Sequence, residues 1–159
     1  MGIVNEILMN RVLIAAFLGY FIAQIVKGVI ELIMNKEFSL SRLFVGHGGM
    51  PSSHSSTVCA LALTSGFEYG FDSFAFAVSV VFAIIVMGDA RGVRRETGTQ
   101  AVVLNEIMEY FSKMGSDALK PKFANAKLKE LIGHTPAQVN VGGLLGIVIA
   151  LFLHFTFWV

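Results

Sequence analysis

The sequence predicts an all-α integral membrane bundle with about four spanning or deeply inserted helices and one amphipathic surface helix. Of its 159 residues, 55% are hydrophobic and 14% are charged, and the mean hydropathy is +0.70. Soluble domains average roughly 45–50% apolar and roughly 25% charged residues. Several apolar runs approach the roughly 20 residues that cross a bilayer. The length fits one domain, residues 1–159, with a polar insert at about 96–135.

The apolar runs predict helices at about 8–34, 51–68, 72–95 and 136–158. No small-residue cleavage site follows the first run, which indicates a retained helix and not a signal peptide. The second run is short and semi-polar, so we expect neighbouring helices to shield it from lipid. Trp158 fits an interfacial anchor at the end of the last helix.

The polar insert carries an amphipathic pattern. Its apolar residues recur at helical spacing: Val103, Leu104, Ile107, Met108, Phe111 and Met114. We predict a helix that ends at Gly115 and packs its apolar stripe on the bundle, with the membrane surface as the alternative. A second short helix is predicted at about 124–132, before Gly133.

The charges predict an orientation. Lys36 and Arg42 follow the first helix, and a larger basic group follows the third: Arg91, Arg94, Arg95, Lys113, Lys120, Lys122, Lys127 and Lys129. The charged residues of the turn between the second and third helices are all acidic. The positive-inside rule therefore predicts a multi-pass protein of the cell membrane with both basic segments in the cytoplasm and both termini outside.

Two polar motifs begin helices on the same predicted face. Residues 46–56 read GHGGMPSSHSS, in which glycines let the backbone approach a ligand and Pro51 with Ser52 or Ser53 starts a helix. His134 precedes the last helix. Helix starts bind anions, and two imidazoles among cations suit phosphoryl transfer. The alternative is two ordinary helix starts with solvated histidines.

These motifs resemble a known superfamily. The segment from Pro51 to His54 is similar to the Pro-Ser-Gly-His signature of the type 2 phosphatidic acid phosphatase and vanadium haloperoxidase superfamily. The segment from His134 to Gly142 resembles its closing His-x-x-x-Asp segment. Together with residues 88–95, the motifs look most like a small divergent branch, the acid phosphatase/vanadium-dependent haloperoxidase-related proteins. The resemblance covers nearly the whole chain.

The resemblance implies a membrane-embedded phosphatase acting on a lipid phosphate or lipid pyrophosphate. His134 would be the nucleophile that forms a phosphohistidine, and His54 the acid that protonates the leaving oxygen. The phosphate would be held by the loop and by cations: Gly49, Ser52, Ser53, Lys27, Arg42, Arg91, Arg94 and Arg95. No cofactor is implied, since the phosphatases of the superfamily need no metal, while vanadate occupies the same pocket in the haloperoxidases.

The chain departs from the superfamily pattern at three places. The arginine and proline expected after Lys27 are Met34 and Asn35, which leaves Arg42 as the nearby substitute. The arginine expected before the nucleophile is Leu128, so Lys127, Lys129 or the arginines at 91, 94 and 95 would have to supply the charge. The aspartate expected four residues after His134 is Gln138, which can hold an imidazole tautomer but carries no charge. Asp89 could take over that role.

Alternative functions follow from these departures. Gln138 favours a phosphate- or lipid-binding membrane protein with little or no turnover. Lys27, Glu31 and Asp89 near membrane depth motivate a small oligomeric transporter subunit. A zinc site from His47, His54, His134 and Asp89 is less favoured, because tight ligand spacing is lacking.

We expect a lipid phosphate and membrane lipids as partners and no nucleic acid. A homo-oligomer is an open alternative, for which the sequence offers only the last helix with Gly142, Gly143 and Gly146. Packing within the chain is the favoured role of these glycines.

Several of the charged residues also have simpler interpretations. Arg91, Arg94 and Arg95 would share one face if the third helix continues through them. Phosphate binding and contact with anionic lipid headgroups are equally favoured interpretations of this group. Pairing of Lys27 with Glu31 is favoured over phosphate binding. Cys59 is interpreted as a packing residue, and His154 as an interfacial one.

Overall fold

The protein's structure, a computed structural model, describes residues 2–35, 49–113, 128 and 133–158. The helices are α1 (Ile3–Leu8), α2 (Arg11–Asn35), α3 (Ser53–Tyr69), α4 (Phe74–Arg91), α5 (Val93–Lys113) and α6 (Pro136–Leu153), followed by a π-helical turn, His154–Trp158. These ranges contain no strand. The prediction of an all-α membrane bundle is therefore confirmed.

The first helix begins later than predicted. The predicted start at residue 8 is wrong, because α1 ends at Leu8 and α2 begins at Arg11. The Leu13 N–H donates to Asn10 Oδ1 at 3.1 Å. Asn10 therefore caps α2 and satisfies one of the N–H groups that a helix start leaves without a partner.

Helix α3 lies at the centre of the bundle and packs against α2, α4 and α6. Among the described residues, three stretches are long and apolar enough to cross a membrane, Arg11–Met34, Phe74–Phe111 and Pro136–Trp158, and α3 is not among them. Nine of its 17 residues are nonetheless buried. The prediction that neighbouring helices shield this semi-polar helix is confirmed.

Glycines bring the three central backbones close together. A Cβ at Gly142 would meet the Ser52 carbonyl and lie 3.0 Å from Ser52 N. One turn further, a Cβ at Gly146 would meet the Ser56 carbonyl, and a Cβ at Gly19 of α2 would lie 3.0 Å from that same oxygen. Because no side chain intervenes, α6 and α2 both approach the backbone of α3. The glycines of the last helix thus pack within the chain.

Contacts along α3 fix the directions of its neighbours. Lys27 of α2 lies against Gly49 just before α3, while Arg11 Nη1 lies 3.1 Å from Glu68 Oε1 near the end of α3. Helix α2 therefore runs antiparallel to α3. The Ser52–Gly142 and Ser56–Gly146 contacts show that α6 runs parallel to it.

Helix α4 is also antiparallel to α3. Ser79 Oγ donates to Ser65 Oγ at 3.3 Å, and Cys59 Sγ lies 3.6 Å from Met87 Sδ. Consequently α2 and α4 end where α3 and α6 begin, and we call this the motif end of the bundle. At the opposite end, the Arg11 guanidinium lies 5.8 Å from the ring centroid of Trp158.

The third helix is interrupted at Gly92. The prediction of one helix over 72–95 is wrong, because α4 ends at Arg91 and α5 begins at Val93. The 38 residues Phe74–Phe111 would be about 57 Å long as a straight helix, whereas a hydrocarbon core is roughly 30 Å thick. Helix α4 alone is about 27 Å long and accounts for the span. Arg91 therefore does not share one continuous helix with Arg94 and Arg95.

Helix α5 carries the predicted amphipathic pattern but begins at Val93, well before Val103. Its apolar side chains are about half exposed: Val103 48%, Leu104 48%, Ile107 45% and Phe111 44%. The structure does not place this stripe in the core. Asn105 instead exchanges two 3.0 Å hydrogen bonds with the backbone of Leu128. Met114, Gly115 and the helix predicted at 124–132 lie outside the described residues, apart from Leu128 itself.

Candidate functional site

Ser52 starts α3. Its hydroxyl accepts hydrogen bonds from the Ser55 N–H at 3.4 Å and from the Ser55 hydroxyl at 3.0 Å, and Ser52 is completely buried. Ser53 is the first helical residue and is buried too. Of the two cap candidates in the sequence, Ser52 thus takes the role, and its hydroxyl fixes the first turn of α3.

Thr135 starts α6 through a reciprocal pair of hydrogen bonds. Its Oγ1 accepts from the Gln138 N–H at 3.3 Å, and Gln138 Oε1 accepts from the Thr135 N–H at 2.9 Å. Pro136 occupies the first helical position, where no N–H is needed. This is a capping box, which fixes the first turn of α6 and the conformation of the Gln138 side chain.

Gln138 also contacts His134. His134 Nδ1 lies 3.3 Å from Gln138 Oε1, and both side chains are half-buried. The glutamine therefore occupies the position that the superfamily gives to an aspartate, and it contacts the imidazole as that aspartate is expected to. It supplies a neutral oxygen and no charge.

A backbone hydrogen bond joins the two helix starts. The Ser52 N–H donates to the Gln138 carbonyl at 3.1 Å. The close approach of Gly142 to the Ser52 backbone permits this bond. Two helix N-termini therefore lie side by side, and their dipoles create a positive potential that favours an anion.

The two motif histidines lie at this same end of the bundle. His54 is the second residue of α3 and is exposed, whereas Ser52, Ser55 and Ser56 are buried. His154 lies at the opposite end, where its ring stacks on Phe67 with centroids 4.0 Å apart. His54 and His134 are thus accessible from the motif end, and His154 is remote from them.

A buried lysine, Lys27, contacts Gly49 in the glycine loop, our name for the glycine-rich segment that precedes α3. Gly49 has φ +84, and a Cβ on it would lie 2.7 Å from Lys27 Cε and 3.5 Å from Glu31 Oε1. Lys27 is 5% exposed. Only glycine adopts this conformation without strain and lets the loop lie directly on the lysine side chain. The structure therefore brings Lys27 and Glu31 to the start of the loop that leads to Ser52.

The other predicted site residues are located by their positions on the helices and not by a contact with the two histidine motifs. Cys59 of α3 contacts Met87 of α4, and the two helices are antiparallel, so the last turn of α4 lies level with the first turn of α3. That last turn carries half-buried Asp89 and exposed Arg91. Arg95 is exposed in the first turn of α5. Outside the described part of the structure lie Arg42, His47, Lys127, Lys129 and the Arg94 side chain.

The zinc alternative gains no support from the described residues. Among them, no three His, Cys, Asp or Glu side chains group together as a metal site would require.

Sequence reasoning missed two residues that shape the site, Thr135 and Ser55. Thr135 forms a Thr-x-x-Gln capping box with Gln138 before an apolar run, and that signal is readable in the sequence. Ser55, whose N–H and hydroxyl both bond to Ser52, had no distinguishing signal within a run of serines.

The structure is that of a helical membrane protein with a candidate anion site, in which two histidines lie at adjoining helix starts beside a buried lysine. The chain belongs to the Divergent PAP2 family, whose model matches residues 8–149. It is 43% identical over 157 residues to the uncharacterized membrane protein YuiD of Bacillus subtilis (strain 168), covering 96% of this chain and 99% of that protein. No solved structure matches the chain. The superfamily resemblance of the motifs is thereby confirmed.

Proposed function

We propose that the protein is a membrane-embedded phosphatase that acts through a phosphohistidine, either as a phosphoric monoester hydrolase on a lipid phosphate or on the anhydride bond of a lipid pyrophosphate. One observation carries the proposal: the hydrogen bond from the Ser52 N–H to the Gln138 carbonyl, which holds the two histidine-bearing helix starts side by side. Membership in a PAP2-related family supports the same activity.

In the first step, His134 Nε2 attacks phosphorus and the bond from phosphorus to the leaving oxygen breaks. Protonated His54 gives its proton to that oxygen, so the lipid alcohol departs neutral. In the second step, a water attacks the phosphohistidine, His54 accepts its proton, and the phosphorus–nitrogen bond breaks. Inorganic phosphate leaves and both imidazoles are restored.

Charge around the phosphate comes from the motif end. Lys27 is buried beneath Gly49, and the starts of α3 and α6 add their helix dipoles. Arg91 and Arg95 lie exposed near the end of α4 and the start of α5, where they can neutralise phosphate oxygens. These groups stabilise the negative charge that spreads over the oxygens during transfer.

The depth of Lys27 favours an amphiphilic substrate. It lies within the spanning stretch Arg11–Met34, about two turns before the end of that stretch. A phosphate that reaches this lysine lies about two helical turns inside the end of that stretch, so an attached acyl or prenyl chain can stay in lipid. By the positive-inside rule the site faces the cytoplasmic leaflet.

A second candidate is a phosphate- or lipid-binding protein without turnover. Gln138 favours it, because the neutral oxygen 3.3 Å from His134 Nδ1 cannot offset the positive charge that forms on the ring. The binding groups of the loop are the same in both candidates.

Phosphate release from a panel of lipid phosphates by purified protein tests the proposal. We expect His54→Ala and His134→Ala each to lower the rate by at least about 100-fold, which is the low end for loss of an acid–base group. His154→Ala is the matched control, because His154 lies at the opposite end of the bundle. It should keep the full rate.

Equal release by the wild type and both site variants would overturn the proposal. No release from any substrate, with vanadate bound by the wild type and lost in Lys27→Ala, would establish the binding function instead. Neither release nor vanadate binding would exclude both candidates.

A further inference from the structure

Helix α5 has one side that contacts the protein and another side that is apolar and exposed. Gly98 is buried, and Asn105 bonds to the backbone of Leu128. These two positions are two turns apart and lie on one side of the helix. A group that we call the outer stripe is about half exposed: Val103 48%, Leu104 48% and Ile107 45%. At about 3.6 residues per turn, the centre of the outer stripe lies roughly 160° around the helix axis from Gly98 and Asn105.

The start of α5 lies beside the spanning part of the bundle. Helix α4 is about 27 Å long and ends at Arg91, and Gly92 alone separates it from Val93, the first residue of α5. Near the end of α4, Ile84 and Ile85 are 65% and 61% exposed, and Val93 is 69% exposed. The apolar outer surface of the spanning helix thus continues up to the start of α5. The outer stripe begins within about 15 Å of that point.

We propose that α5 lies along the membrane surface at the motif end and inserts the outer stripe into lipid. Its opposite side, with Asn105, then lies against Leu128 and away from the membrane. Half-exposed apolar side chains lose contact with water when they enter the boundary between headgroups and acyl chains, about 5–10 Å deep. The proposal concerns lipid contact alone and does not depend on phosphatase activity.

The size of the exposed surface favours lipid over a second copy of the chain as its partner. Even if it is counted from Val103 to the end of α5 at Lys113, the strip is about 16 Å long and about 10 Å wide. Its area of about 160 Å² is far below the roughly 800 Å² that each partner contributes to a stable protein interface. Lipid contact needs no such area, because α4 already holds the start of α5 at the membrane.

The charges of α5 indicate which lipids it needs. Three cationic and three acidic side chains give the helix a formal net charge of zero at pH 7: Arg94, Arg95 and Lys113, with Glu96, Glu106 and Glu109. Attraction to anionic headgroups requires an excess of basic residues. We therefore expect the apolar side chains to drive insertion, which should be equal in zwitterionic and anionic membranes.

Fluorescence quenching by brominated lipid tests the insertion. The chain has one tryptophan, Trp158, at the opposite end of the bundle. In a full-length Trp158→Phe background, Ile107→Trp is compared with Glu106→Trp, a neighbouring exposed position outside the stripe. The vesicles are phosphatidylcholine with or without bromine high on the acyl chains. Bromine should quench Ile107→Trp at least about twofold, because the stripe of an interfacial helix lies about 5–10 Å deep.

Glu106→Trp is the matched control, and it should be quenched by acrylamide in the water and little by bromine. Adding phosphatidylglycerol to the vesicles should leave the quenching of Ile107→Trp unchanged, because α5 has no net charge.

Spin labels cover the case in which Trp158→Phe does not fold. Leu104→Cys and Thr99→Cys, each in a Cys59→Ala background, carry a nitroxide at exposed positions of α5. The label at position 104 should be reached mainly by molecular oxygen, which dissolves in lipid. The label at position 99 should be reached mainly by a water-soluble nickel complex.

Quenching of Ile107→Trp by acrylamide with no effect of bromine would overturn the proposal, because the outer stripe would then face water. Protection from both quenchers would also overturn it, because protein would then cover the stripe. In that case, a disulfide between two Leu104→Cys chains would identify a second copy as the cover. Quenching that requires phosphatidylglycerol would show that charge and not apolar insertion holds α5 on the membrane.

Discussion

Gly146 shows how a missing side chain sets a distance in this bundle. It faces the Ser56 carbonyl of α3, and a Cβ there would lie 3.0 Å from Ala60 N. Gly142 does the same one turn earlier, at Ser52. The hydrogen bond from Ser52 to Gln138 depends on this spacing, so two glycines of α6 allow the two motifs to lie together.

We expect Gly146→Ala to lower the free energy of unfolding by about 1–3 kcal/mol, the usual cost of forcing extra volume into a packed interface. The methyl group must push α6 away from the backbone of α3, which has no rotamer with which to yield. Thermal unfolding in detergent measures the effect.

Gly88→Ala is the matched control for Gly146→Ala. Gly88 is also a helical glycine, but nothing lies within 4 Å of a Cβ built on it. It should keep or gain stability, by up to about 1 kcal/mol, since alanine favours helix. Equal losses in the two variants would show that the close contact does not limit packing.

Among the helices, side-chain caps decide where several of them begin. Asn10, Ser52, Ser73 and Thr135 each accept a hydrogen bond from a backbone N–H of the following turn. Two of these caps, at Ser52 and Thr135, lie at the motif end. Ser73 lies at the other end, where its Oγ accepts from the Phe76 N–H at 3.2 Å and donates to the Gly70 carbonyl at 2.7 Å.

Ser52→Ala and Ser73→Ala form a comparison between two helix caps. Each should cost about 1 kcal/mol of stability in chemical unfolding, because each loses a cap. Only Ser52→Ala should also weaken vanadate binding, because the Ser52 hydroxyl fixes the first turn of α3 at the motif end, whereas Ser73 lies at the opposite end. If both variants bind vanadate like the wild type, the anion site does not depend on the start of α3.

The helices could be predicted where apolar periodicity is long, and not where a single residue interrupts it. The runs that became α2, α4 and α6 are recognisable by length and hydropathy alone. The breaks at Asn10 and Gly92 are not, because asparagine and glycine also occur inside helices and only tertiary contacts decide. At Gly92 the interruption separates a stretch of about bilayer length from the amphipathic α5.

The residues of the candidate site could be proposed from the sequence, but the contacts between them could not. His54, Ser52 and His134 are recognisable by motif. The bond from the Ser52 N–H to the Gln138 carbonyl joins residues far apart in sequence, and no local pattern encodes a backbone contact. The sequence held one indication of this contact. Ser52 and Ser56 are four residues apart, as are Gly142 and Gly146, so each glycine can face one serine when the two helices pack in parallel.

For the whole molecule, the alternating helix directions separate the chain ends from the motifs. Arg11 and Trp158 meet at one end of the bundle, and the starts of α3 and α6 form the other. Arg11 and Trp158, near the two ends of the chain, therefore lie at one end of the bundle. Gly49 and the start of α5 lie at the other end. We predict that these two ends lie on opposite sides of the membrane.

Single cysteines in a Cys59→Ala background test this arrangement. We expect Asn5→Cys and Thr156→Cys, both at exposed positions, to react with a membrane-impermeant maleimide from the same side. Thr99→Cys, exposed in α5, should react from the other side, which the positive-inside rule identifies as the cytoplasm. Labelling of positions 5 and 156 from opposite sides would contradict the helix directions described here.

The central position of α3 also constrains how the protein is made. During synthesis α3 leaves the ribosome long before α6 exists, so the face with Ser52 and Ser56 has no glycine helix to cover it. A helix this polar gains little from lipid contact alone. Nascent chains stalled before residue 136 should therefore leave α3 open to protease, and protection should appear only after α6 is added. Protection already present without α6 would show that α2 and α4 are enough to shield α3. Protection that appears only with α6 would show that α3 is not fully enclosed in the bundle until the last helix has been made.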